Sequence, residues 1–346
     1  MSTDDRTDRV WVTRLARVVV ERSPLSALPT ILSTVGLVPF LLTGVFLALI
    51  GPTVRPTFLG SQLLAATLPA VGSVLIWRYD TVVFPTFIER TTEVTPYDDN
   101  RAIQRIAARY SEFFANMRAT TAIWTGLVLV AVIVNDAYFR SLGVTGYADP
   151  AYLVYGLFAA WAAAITAVGI RMALTTTLCI REIGELDFSI DPLHPDGLGG
   201  LSNIGYFAIR TTSILSIGAL GLPLAFDVVR VSGGSGVIYA LVGIYMLLLV
   251  GSFVFPTVYI NRRANDIKQE SLNSKREQIH ELRTRLLASD DPEEIEPLQM
   301  KLEELRTQYE TYDAVSLYPM SLSIASRLAS SVLLPLFFLV VETYAL

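Results

Sequence analysis

At 346 residues, with 52% hydrophobic residues and a mean hydropathy of +0.48, the chain carries far more apolar side chain than a soluble core of this length needs. The net charge is −5, and of 27 basic residues only Lys268, Lys275 and Lys301 are lysine, a balance that suits a GC-rich, halophilic prokaryote. The single cysteine, Cys179, excludes an internal disulfide and any multi-cysteine metal site.

The first residues are polar and charged, with no short apolar core ahead of a small-residue cleavage site, so no cleaved signal peptide is expected of the amino-terminal segment 1–27. Within them Val10 to Val20 carries Trp11, Leu15 and Val18 beside Arg14 and Arg17. That pattern predicts an amphipathic segment which either lies along the inner membrane surface or packs on the protein's own helices.

A helix needs about 20 apolar residues to cross a bilayer. By that measure spans are expected at 28–50, 58–78, 119–139, 151–174, 207–229, 236–258 and 320–344. The amino-terminal segment has Arg6, Arg9, Arg14, Arg17 and Arg22, and the segment after the second span has Arg90, Arg101, Arg105, Arg109 and Arg118. The turns around Arg55, Arg140 and Ser232 to Ser235 carry few basic residues or none. The positive-inside rule therefore predicts a multi-pass protein of the plasma membrane, amino terminus cytoplasmic and carboxyl terminus extracellular. No lysine falls in a span, so a retinal Schiff base is excluded.

Between spans two and three, Ile103, Ile106, Ala107, Tyr110, Phe113 and Phe114 recur at helical spacing and predict a cytoplasmic amphipathic helix over 96–118. The connection 182–206 holds Asp187, Asp191, His194 and Asp196 among prolines and glycines. Three carboxylates and an imidazole are a conceivable divalent-cation set. The simpler reading is a turn, in which Pro192 and Pro195 break the helix and Asp196 caps the succeeding segment. Its HPDGLGGL run (His194 to Leu201) resembles a loop of multi-pass prokaryotic membrane proteins, a likeness that implies no activity.

Residues 259–319 are heptad-patterned, with Leu272, Ile279, Leu282 and Leu286 in one arm and Ile295, Leu298, Leu302, Leu305, Tyr309 and Tyr312 in the other. This spacing predicts a cytoplasmic coiled-coil hairpin turning at Asp290-Asp291-Pro292. Either it stiffens the link between spans six and seven, or it builds a bundle between subunits. The last span, 320–346 with its tail, sets Ser323, Ser326 and Ser330 on one face and ends in Glu342. That stripe lines water or packs against a neighbouring helix. Glu342, Asp136 and Asp227 all fall at outer span ends, where a symmetric oligomer would turn any of them into a cation-favouring ring.

The expected fold class is thus all-α: a polytopic membrane protein with about seven transmembrane helices and a cytoplasmic coiled-coil hairpin. The sequence contains no phosphate loop, nucleophile elbow or metalloprotease helix, and neither an enzymatic activity nor a cofactor is expected. Seven spans in this orientation, helices projecting into the cytoplasm, and a final span with a polar inner half and Thr343-Tyr344 at its end together resemble the insect odorant and gustatory receptor superfamily. The resemblance implies a tetrameric channel with the last span around a central pore. The expected function is a homo-oligomeric, cation-permeable channel gated through its cytoplasmic helices; in a ligand-controlled variant Arg101, Arg105, Arg109 or the hairpin would receive a small-molecule or nucleotide anion, although such arginines are more often simply a basic inner-leaflet face. The partners are lipid, ions and other copies of the chain. A secondary transporter and a non-conducting scaffold are the alternatives.

Overall fold

The computed structural model describes residues 10–21, 26–51, 55–93, 100–186, 202–233, 235–288 and 292–314. Among these residues all regular structure is helical, with no strand. Six helical stretches are long and apolar enough to cross a membrane: Ala27–Ile50, Pro56–Thr92, Asn100–Val134, Pro150–Gly184, Asn203–Ser232 and Gly236–Ala288. They correspond to the first six expected spans. The expected seventh lies outside the described residues.

The first helix, α1 (Trp11–Val20), makes one of the two expected contacts and leaves Val18 exposed. Val10, Val12, Thr13 and Ala16 are buried, and Trp11 meets the ring of Trp161 edge-on at 5.9 Å, so its apolar face packs on the protein itself.

Three prolines explain the irregular turns in the spans. Between α2 (Ala27–Ile31) and α3 (Val38–Ile50) the backbone widens into a π turn over Leu32–Gly36. Pro39 has no N–H to give the carbonyl of Val35 four residues back, so the ladder must shift there. A second π turn, Tyr79–Val83, joins α4 (Pro56–Arg78) to α5 (Phe84–Glu93) just ahead of Pro85. The third irregularity is a 3₁₀ turn at Ile217–Gly221, between α10 (Ser202–Ser216) and α11 (Leu222–Ser232), just ahead of Pro223.

The expected helix over 96–118 is present as α6 (Asn100–Ala115), with Ile103, Ile106, Ala107 and Phe114 buried as the periodicity requires. It leads into α7 (Arg118–Val134). The expected third span, drawn to residue 139, stops earlier. Asn135 leaves helical geometry at φ −98° and ψ 36°, and Asp136 opens a separate short helix, α8 (Asp136–Ser141). The Asn135 side chain causes the stop by donating both to Ala131 O at 2.6 Å and to Ser235 Oγ at 3.1 Å.

The centre of the bundle is α9 (Pro150–Gly184), which packs against α3, α4, α6, α7, α10 and α12 (Gly236–Ala288). Its start is well specified. Pro150 suits the first helical position, and Asp149 accepts from Ala151 N at 2.9 Å and from Thr145 N at 2.8 Å and Thr145 Oγ1 at 2.9 Å. These donors hold the Asp149 carboxyl below its ordinary range.

One helix, α12, runs unbroken for 53 residues, about 80 Å at 1.5 Å per residue. Its apolar first half belongs to the bundle. Its polar second half leaves the bundle and pairs with α13 (Pro292–Ala314). The pairing is antiparallel: Lys268 Nζ donates to Asp313 O, Lys275 Nζ to Gln308 Oε1 and the Arg276 guanidinium to Tyr309 Oη. Leu272, Leu302 and Leu305 are the buried residues of its seam.

Around the membrane unit the usual polarity is inverted. Large apolar side chains such as Leu247 (75% exposed) and Leu41 (67% exposed) face outward, as they must where the solvent is hydrocarbon. Towards the end from which α12 projects, the core is aromatic, with Phe207 stacked on Phe87 at 4.0 Å and on Tyr79 at 5.9 Å. Each such pair adds about 0.5–1.5 kcal/mol to the burial of its area.

Candidate functional site

Inside the membrane unit the helices do not close completely. A cleft of about 270 Å³ runs along α9 between α7 and α12, with α4, α10 and α11 behind it. Small residues make it deep: Gly72, Ala159, Ala162, Ala163, Gly169 and Gly218 line its wall, where larger side chains would fill the space. Along α9 it extends from Tyr155 to Ile170, about 22 Å at the helical rise.

No charged side chain lines this cleft, and its polar groups are turned to each other. The Trp124 indole donates to Thr166 Oγ1 at 2.8 Å, tying α7 to α9. The Tyr245 hydroxyl is shared between the carbonyls of Leu215 (3.2 Å) and Ser216 (3.3 Å), which the 3₁₀ turn ahead of Pro223 leaves without their ordinary helical donors. Gly218 is required at that point, because a Cβ there would stand 2.7 Å from Tyr245 Cε2. The walls are apolar in surface and satisfied in hydrogen bonding, which suits a hydrocarbon occupant and gives an ion nothing to replace its hydration.

Elsewhere in the bundle buried hydroxyls link the helices. Tyr79 Oη lies 2.8 Å from Thr176 Oγ1, which lies 3.1 Å from Thr211 Oγ1, joining α9 to α10 and to the π turn after α4. Thr212 and Ser252 bridge α10 and α12 at 3.3 Å. Gln62 donates to Thr43 at 3.1 Å between α4 and α3.

The two acidic candidates within the described residues both stand at the end opposite the hairpin. Asp136 is ion-paired with Arg140 at 2.6 Å, and Asp227 accepts from Tyr138 Oη at 2.9 Å. One helix, α8, thus engages both, with Asp136 on it and Asp227 reached from it. The pore candidates Ser323, Ser326, Ser330 and Glu342 and the metal candidates Asp187, Asp191, His194 and Asp196 lie outside the described residues. Among the described residues no group of three or more His, Cys, Asp or Glu side chains is placed to hold a metal ion.

Of the three arginines that a ligand-controlled variant would use, Arg109 is already paired with Glu182 of α9. Arg101 and Arg105 are exposed on the first turns of α6 and border a shallow, open depression with Asn100 and Gln104. At the end of the cleft nearest α6, Arg171 lies over the Phe113 ring at 3.4 Å and donates Nε to Phe113 O at 2.9 Å, which caps the final turn of α6. Sequence reasoning did not single out the cleft or Arg171. The cleft is a gap left by helices distant in sequence, and its only linear signal is the small residues that recur in α9.

Comparison with protein-family models, curated proteins and solved structures finds no match to this chain.

Proposed function

We propose that the chain is a homo-oligomeric, cation-permeable channel of the plasma membrane, gated through a cytoplasmic coiled-coil hairpin. The observation that carries this reading is the continuity of α12, which belongs to the membrane bundle at one end and to the hairpin at the other without a break. The helix continues across Pro256, whose missing N–H leaves the turn before it one backbone hydrogen bond short, and displacement of the hairpin passes along α12 through that point. Within the bundle it is held by Tyr245 to the last turn of α10 and by Ser252 to the same helix, so movement of the hairpin loads those contacts directly. The apolar cleft offers no route for ions within one copy, so the reading places conduction between copies, around the segment 320–344. A tetramer, as the likeness to the insect receptors implies, gives that segment an axis.

Planar-bilayer recording of the purified protein tests the class directly. Unitary currents are expected, and they should change with Ser326→Trp and Glu342→Lys. Saturable exchange without unitary currents would instead indicate a secondary transporter. The orientation has its own test, because all three lysines lie in the hairpin. A membrane-impermeant amine reagent should leave them unmodified in intact cells and modify them after lysis.

A second reading, a non-conducting scaffold acting through its hairpin, draws on a different observation. The buried hydroxyl, amide and indole groups of the bundle are largely bonded to one another rather than aligned along a passage. Neither currents nor exchange in reconstituted protein would favour it.

A further inference from the structure

We infer that the cleft between α7 and α12 is a binding site for a membrane lipid, its hydrocarbon tail in the cleft and an anionic headgroup at the end nearest α6. This inference stands apart from the channel reading and survives if that reading fails.

The tail is inferred from the shape and chemistry of the walls. The cleft is open along one side and runs for about 22 Å between apolar walls. One extended chain of methylene groups suits it. Trp124, Thr166 and Tyr245 have spent their donors on protein acceptors, so nothing on the wall asks a ligand for a polar group.

Charge argues for the headgroup. Beyond the cleft-lining stretches of three helices, towards their α6 ends, stand three arginines: Arg118 opens α7 six residues before the cleft-lining Trp124, Arg171 comes directly after Ile170 and Arg210 stands one turn before Ile214. Arg118 and Arg210 are exposed, and Arg171 is partly so. None of the three has an ion pair among the described residues, and Arg171 commits only its Nε to Phe113. A phosphate ester supplies the charge that such a group lacks.

The indole of Trp124 provides a local reporter. Full-length protein and its Trp124→Phe variant are reconstituted in phosphatidylcholine vesicles containing the same mole fraction of brominated-chain phosphatidylglycerol or brominated-chain phosphatidylcholine. The quenching that disappears with Trp124→Phe belongs to the cleft. It is expected to need about fivefold less of the brominated anionic lipid than of the zwitterionic one for each arginine engaged. Arg118→Gln with Arg210→Gln should erase that preference while retaining quenching by phosphatidylcholine, and Ala162→Phe, which fills the cleft, should reduce quenching by both. Equal quenching by the two lipids in the unaltered chain would overturn the inference, leaving only contact with bulk lipid. Absence of quenching by either would overturn it too, by assigning the cleft to protein, either the segment 320–344 or a second copy.

Discussion

The indole Nε1 of Trp161 donates to the carbonyl of Val35 at 3.2 Å, and that carbonyl is the one Pro39 cannot serve. The two residues lie 126 positions apart, yet the bond closes a gap that a proline opened in the first span. Trp161→Phe keeps most of the ring and strands a buried carbonyl, so it should cost about 1–3 kcal/mol of stability in detergent-solubilised protein. Pro39→Ala restores a local N–H and should remove most of that cost in the double variant. If denaturant titration gives simple additivity for the pair, the Val35 carbonyl is not what links them.

At Gly218 the limiting contact is with an aromatic ring. Gly218→Ala would place its Cβ 2.7 Å from Tyr245 Cε2 and should destabilise by about 1–3 kcal/mol through forced repacking. Combining it with Tyr245→Leu removes the opposing ring, so the double variant should lose less than the sum of the single losses. Thermal unfolding of the four proteins measures this coupling.

Asp149 gives a pH dependence whose sign is fixed. Its folded pKa is depressed by the Thr145 and Ala151 donors, so the stability it contributes is present above the ordinary carboxylate pKa of about 3.9 and is lost as pH falls through the lower folded value. The difference in melting temperature between the parent and Asp149→Ala should be constant near neutrality and shrink as the solution is taken below about pH 4. A difference that grew in acid would contradict the capping role.

Lys268 and Asp313 allow the link between hairpin and membrane unit to be probed. Cys179 is fully buried, so cysteines introduced at these two positions should be the reactive pair, and a bifunctional thiol reagent with a cleavable disulfide spans the gap that the Lys268 side chain now covers, joining the base of α13 to α12. In the channel reading the cross-linked protein should show altered opening and the reduced protein recover. Identical single-channel records before and after reduction, with the cross-link verified by mass, would uncouple the hairpin from the gate.

Length and hydropathy were enough to count the spans that the described residues contain, because a hydrocarbon solvent demands runs of apolar residues that survive any packing arrangement. The α6 helix was legible for the related reason that half-burial writes a helical period, and Ile103, Ile106 and Phe114 obey it. Leu272, Leu302 and Leu305, which belong to the apolar stripe visible in the sequence, are buried where α12 and α13 meet. What the linear pattern did not contain is where one helix meets another. That α1 packs inward, that Asn135 stops α7, that Trp161 answers Pro39 and that Arg171 caps α6 are decided by partners dozens of residues away. The cleft belongs to the same class. It is lined by ordinary alanines, glycines and leucines, each read alone as packing or lipid contact, and only their convergence from seven helices makes a space.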